Sequence, residues 1–214
     1  MMDREDISSY LVHFIKGDSY EAAFDTLLSI VRGSQLLGGN GFIKGGYRCV
    51  CFSEAPIKAL GQMLMKPTIH GVIYKPFGVI LTKKWLFEQG GRPVIYETDS
   101  EYANLPEELR WRHVRYEPNL DPPIDFSWER EWRIRVDSLH INPDIASLVV
   151  PAVEWTYRLA NGYEDNQTER ARIYAELTDV PEQAWIESSP WRSVVLEGPG
   201  CEAGKFHRHT SLKF

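Results

Sequence analysis

The stretch DFSWEREWRIR, from Asp125 to Arg135, packs five charges and two tryptophans into the eight residues from Trp128 to Arg135. Side chains in a strand alternate between two faces. An extended reading therefore sets Glu129 and Glu131 on one face with Arg133 and Arg135, and Trp128, Arg130, Trp132, Ile134 and Val136 on the other. Two carboxylates at that spacing can act on a sugar carbon: one stabilises the positive charge that develops there while the other orients a hydroxyl. Their mutual repulsion also lifts the pKa of one of them. The same residues also suit a solvated row, paired with charges on neighbouring strands at roughly 0.2–1 kcal/mol per contact. Glutamate is depleted in strands, and a Trp-Arg-Trp-Ile face is not a one-sided core pattern. Both points weaken the solvated-row reading, which on composition alone still leads; the motifs upstream, VHF and CFSEAP, are what tip it towards a pocket wall.

The elements that must carry this wall are legible as alternating and helical patterns. YLVHFIKG, Tyr10 to Gly17, reads as a short apolar strand. Asp18 or Ser19 then caps a helix over Tyr20–Arg32, with Ala23, Phe24, Leu27, Leu28, Ile30 and Val31 at helical spacing and Gly33 as its stop. Five glycines in the ten residues from Gly38 to Tyr47 mark a loop. YRCVCFSEAP reads as a strand stopped by Pro56, and Ile57–Met65 as a helix. A short helix is expected over Thr82–Gln89, a strand over RPVIYET, a helix over Glu101–Glu117, a strand over ASLVVPAVEW, a helix over Asn166–Leu177 and a last strand in PWRSVVLEG. With no repeat and no composition shift, residues 1–198 read as one α+β domain with a mostly antiparallel sheet, and 199–214 as a loose tail holding His207 and His209.

Composition narrows the function. The 214 residues are 43% hydrophobic and 25% charged, enough for a packed core, and the formal net charge is −6. That balance argues against general nucleic-acid binding; Arg110, Arg112, His113 and Arg115 are the best candidate for a local basic groove, and a solvated helix face is the preferred reading of them. Cys49, Cys51 and Cys201 form no C-x-x-C pair, and an odd count fits a reducing compartment. The acidic start MMDREDISSY is not a signal peptide and no run is long enough to span a bilayer, so a cytoplasmic protein without membrane contact is expected. No G-x-G-x-x-G, P-loop or H-E-x-x-H occurs, and no metal site is assigned.

Several motifs follow one another in a recognisable order: VHF at the end of the first strand, AAFDTLLSIVRGSQLLGG, CVCFSEAP, FGVILTKKWLFEQGGRPVIY and WEREWRI. This order resembles the AbiGi-type abortive-infection family over roughly residues 10 to 150. More distantly it is similar to ADP-ribosyltransferases of the DNA-modifying toxin type. The resemblance implies an ADP-ribosyltransferase-like fold with a split sheet, and NAD as the substrate. It implies that Glu131 is the catalytic glutamate and Glu129 the first glutamate of the E-x-E form. His13, beside Phe14, takes the position that holds the NAD ribose, and Ser53 the position that shapes the nicotinamide pocket. Tyr47, Phe52 or Tyr74 would stack on the nicotinamide ring. No arginine stands at the first motif, so the diphosphate falls to Lys16, Arg32 or Arg48.

The functions this leaves open are an NAD-consuming transferase or NAD glycohydrolase of a phage-defence or toxin–antitoxin system, and a non-catalytic antitoxin or binding module on the same fold. The acceptor would be a protein, a nucleic acid or water, and the partner a cognate toxin or antitoxin. A metal-dependent nuclease built on Asp125, Glu129 and Glu131 is a third class, disfavoured because no lysine follows two residues after a strand carboxylate.

Overall fold

The computed structural model describes residues 8–54, 56–57, 74–178, 181, 183 and 188–196. The tail from 199, and the helix expected over Ile57–Met65 beyond its first residue, lie outside them.

Strand β1 (Tyr10–Lys16) leads into helix α1 (Tyr20–Gly33), whose Ser19 cap accepts a hydrogen bond from the Ala22 N–H. Ala23, Phe24, Leu27, Leu28 and Val31 form its buried stripe. The helix runs through Gly33, and Ser34 makes the left-handed turn at φ +51°. Strands β2 (Gln35–Leu37), β3 (Cys49–Ser53) and β4 (Tyr74–Thr82) follow. Thr82 then caps α2 (Lys83–Glu88), and Gly90 turns the chain at φ +99°.

RPVIYET forms two strands, β5 (Arg92–Pro93) and β6 (Ile95–Glu97). Pro93 has no N–H to extend a ladder, and the chain passes from a partner on one sheet to a partner on another. Glu101–Glu117 is not one helix. Leu105 is extended ahead of Pro106, as a residue before proline prefers, so two 3-10 turns (Glu101–Asn104 and Glu107–Arg112) precede β7 (His113–Arg115). After β8 (Glu131–Arg135) and β9 (Ser138–His140), β10 (Ala146–Val150) stops at Pro151. Helix α3 (Val153–Thr178) therefore begins well before the expected Asn166, and β11 (Ser193–Val195) closes the described chain. The early start of α3 was hidden because its exposed surface is largely polar and only Leu159 and Ala171 are buried.

The chain divides into two compact units. The first comprises Met1–Phe14, Gln35–Leu60 and Val79–Ala146. Its strands run β4-β1-β3-β8-β5, with β1/β3, β3/β8 and β5/β8 antiparallel, and it carries two small ladders, β2/β9 antiparallel and β6/β7 parallel. Leu11, Val50, Val79, Leu81, Leu86 and Ile141 are almost fully buried in it, each removed from water at a gain of about 1.5–3 kcal/mol.

The second unit comprises Ile15–Ser34, Gly61–Gly78 and Ser147–Phe214. Its strands run β11-β10-β4, with β10 and β11 parallel, and α1 packs on α3. Phe77 and Trp155 meet edge to face at 4.8 Å between ring centroids. Arg158 lies over Trp155 and Phe24, at 4.2 and 4.5 Å, and pairs with Glu21. The fold is mixed α and β with a mostly antiparallel sheet, as expected. No helix among the described residues is long and apolar enough to cross a membrane.

Candidate functional site

The two glutamates of E-x-E do not share a strand face. Strand β8 begins at Glu131, while Glu129 ends a 3-10 turn, Ser127–Glu129, and Arg130 between them is left-handed at φ +45°. Alternation fails here because the turn is held by its own side chains. Asp125 Oδ1 accepts from the Ser127 N–H at 2.8 Å and from its hydroxyl at 2.6 Å. The end of β3 then clamps the turn from the side: Ser53 Oγ donates to the Glu129 carbonyl at 2.5 Å and the Glu54 N–H to the Arg130 carbonyl at 3.1 Å. A left-handed arginine costs about 1–3 kcal/mol, which these bonds offset.

Register sorts the other expected residues. Val12 faces Ser53 across β1/β3, and Ser53 faces Glu131 across β3/β8, so the three form one row. Cys51 opposite Arg133, and Cys49 opposite Arg135, continue that face. The other face carries Phe52 opposite Trp132, with the His13 ring against Phe52 at 5.8 Å between centroids. Ser53 and Glu131 are thus brought together, and His13 and Phe52 lie on the opposite side of the sheet. Phe14 is buried. Tyr47 and Arg48 precede Cys49, at the far end of β3 and more than about 13 Å along the strand from Ser53. Tyr47 packs on the Ile43, Cys49 and Trp111 cluster, and exposed Arg48 pairs with Asp137 at 3.1 Å.

Glu131 is a held carboxylate. Arg133 Nε donates to its Oε1 at 2.8 Å and Nη2 to its Oε2 at 3.2 Å, and the two side chains are only 13% and 6% exposed. Arg133 Nη1 donates to the Trp111 and His113 carbonyls at 3.1 and 2.9 Å. Burial alone would lower the Arg133 pKa; the Glu131 charge and hydrogen bonds override it and raise it. Burial, reinforced by Glu131, pushes the Cys51 thiol far up, and burial pushes Cys49 up to about 11. Neither thiol is a nucleophile at neutral pH. Tyr96 completes the surroundings: its hydroxyl accepts the Glu131 N–H at 3.1 Å and donates to the Phe126 carbonyl at 3.3 Å, and burial raises its pKa.

The opposite face holds a second polar group that the sequence did not signal as a site. Trp132 Nε1 donates to Glu54 Oε2 at 2.7 Å, Lys83 pairs with Glu54 Oε1, and the Lys83 ammonium stands 5.9 Å from the centre of the Trp132 ring. His13 Nδ1 donates to the Cys51 carbonyl at 2.8 Å, tying β1 to β3. Alternation along β3 does put Glu54 on the Phe52 face. That Lys83 and Trp132 meet it there depends on strand order. Among the described residues no three His, Cys, Asp or Glu side chains are grouped to hold a metal ion, Asp125, Glu129 and Glu131 included.

Compared with protein-family models, with curated proteins and with solved structures, the chain matches none of them.

Proposed function

We infer that the protein consumes NAD, as an ADP-ribosyltransferase or an NAD glycohydrolase, with Glu131 stabilising the ribosyl cation. The observation that carries this reading is the cross-strand pair of Ser53 and Glu131, on strands β3 and β8. His13, the third position implied by the family resemblance, lies on the next strand but on the opposite face. Cleaving the nicotinamide–ribose bond builds positive charge at the anomeric carbon, so a fixed carboxylate there stabilises the transition state more than the ground state. An ionised carboxylate has about four lone-pair sites; Arg133 uses two and the Cys51 thiol a third, so one acceptor is left on Glu131 for a ribose hydroxyl. Arg133 serves as a positioning residue that keeps the carboxylate oriented. Ser53 orders the turn that carries Glu129, the carboxylate assigned to the incoming nucleophile. His13 faces the other side of the sheet, and its part is to dock β1 on β3. The resemblance to abortive-infection proteins makes a phage-defence or toxin–antitoxin setting, with a cognate protein partner, part of the same proposal.

The test is nicotinamide release from NAD by wild type, Glu131→Gln and Ser53→Ala, with folding followed by circular dichroism. Release by wild type and a loss of about 100-fold or more in folded Glu131→Gln are expected. A folded wild type that neither releases nicotinamide nor binds NAD rules the reading out.

A second reading, a non-catalytic binding module, is favoured by one observation: both Glu131 oxygens are engaged by a buried arginine that is itself tied to two carbonyls. That is also how a structural clasp is built. Under this reading Glu131→Gln lowers stability and leaves no enzymatic activity to lose.

A further inference from the structure

The second unit contains a cavity of about 260 Å³ whose walls come from α3, β10, β11, α1 and the residues just before β11. Its lining is divided by chemistry. Leu148, Leu159 and Trp191, all buried, give an apolar floor. Ser193, paired in register with Leu148 and only 4% exposed, adds a hydroxyl to it. Along α3 the wall is made by Thr156, Ala160 and Glu164, which stack at successive i, i+4 positions on one helix face. Two turns of helix separate the first from the last, about 12 Å.

Two features of this wall point to a ligand. The Thr156 hydroxyl oxygen is buried and has no hydrogen-bond partner among the described residues, a rare condition for a native side chain. Thr156 lines the cavity, and a helical threonine has two open χ1 wells for its hydroxyl. Among the described residues of the lining Glu164 is the one charged side chain, with no lysine, arginine or histidine beside it. Anionic ligands, including the diphosphate of NAD, find no counter-charge here, so the cavity is separate from the chemistry assigned to Glu131. A half-buried carboxylate beside aromatic and aliphatic walls suits an organic cation.

We propose that this cavity binds a small elongated amine: its ammonium against Glu164, its apolar middle over Ala160, Leu148 and Trp191, and a hydroxyl or carbonyl at its far end paired with Thr156. The length of such a ligand is set by the two-turn spacing, and its modest size by the cavity volume.

Isothermal titration of the full chain with tyramine tests it, against phenethylamine, which lacks the far hydroxyl, and 4-ethylphenol, which lacks the ammonium. Saturable one-to-one binding of tyramine is expected, with each comparison compound about tenfold weaker or worse. Glu164→Gln should bring tyramine and 4-ethylphenol within about twofold of each other. Thr156→Val should do the same for tyramine and phenethylamine, and Ala160→Trp should abolish binding by filling the space. Should Ala160→Trp fail to fold, the two polar variants decide alone. Absence of saturable tyramine binding to wild type, or affinities unchanged in both Glu164→Gln and Thr156→Val, overturns the proposal.

Discussion

At the residue scale the protein is organised around a buried ion pair. Arg133 meets Glu131 through two hydrogen bonds and two backbone carbonyls through the rest of its guanidinium. Removing one partner of such a pair leaves a buried charge uncompensated, whereas replacing both by apolar groups is often neutral. Arg133→Met should therefore lower stability by about 3–5 kcal/mol in urea unfolding, and Arg133→Met with Glu131→Leu should recover much of that loss. A double variant as unstable as the single one would show that the pair is not what holds the site. The thiols give a pH signature. Cys49 has a folded pKa raised from 9.0 to about 11 by burial, so the folded state holds its proton more tightly. The stability this contributes is complete below pH 9.0 and is lost as pH rises through about 11. Calorimetric melting temperature against pH should fall above pH 9 in wild type, and less steeply in Cys49→Ala.

At the scale of elements, caps and turns were largely legible, because they depend on neighbours in the chain. Ser19 caps α1 as its position suggested, Thr82 proves to be the cap of α2 and not its first residue, and the stripe of α1 is the one its spacing predicted except that Ile30 is only half-buried. The failures fall where a local break, a distant partner or both override the periodic pattern. WEREWRI reads as continuous alternation, yet the strand starts at Glu131 because the end of β3 clamps the turn before it. Glu101–Glu117 has helix formers in number, yet Pro106 divides it and His113 and Val114 are drawn into a ladder with β6. The glycine loop also has one position with a specific reason. A Cβ on Gly38 would lie 2.1 Å from the Val136 carbonyl oxygen, where the chain leaves the β2/β9 ladder. Gly38→Ala should destabilise the protein by about 1–3 kcal/mol, since backbone must shift to admit it. Chemical denaturation of Gly38→Ala beside Gly39→Ala, whose Cβ meets nothing within 4 Å, checks the cause.

At the scale of the whole molecule, charge gives the clearest expectation. A chain with formal net charge −6 lacks the field that attracts a phosphate backbone. Fluorescence anisotropy with random duplex DNA at physiological salt should show no saturable binding up to about 0.1 mM protein. Binding below that level would return attention to Arg110, Arg112, His113 and Arg115. The sequence by itself determined this charge balance, the alternation of β3 and the cap of α1, because each is a property of the chain or of neighbouring residues. It also marked Ser53 and Glu131, but as separate positions 78 residues apart. Only the tertiary structure decided that they face one another, that His13 and Phe52 turn to the other side, and that Arg133 closes on Glu131. The physical reason is that a strand's register, and with it the face each side chain takes, is set by partners brought in from elsewhere in the chain.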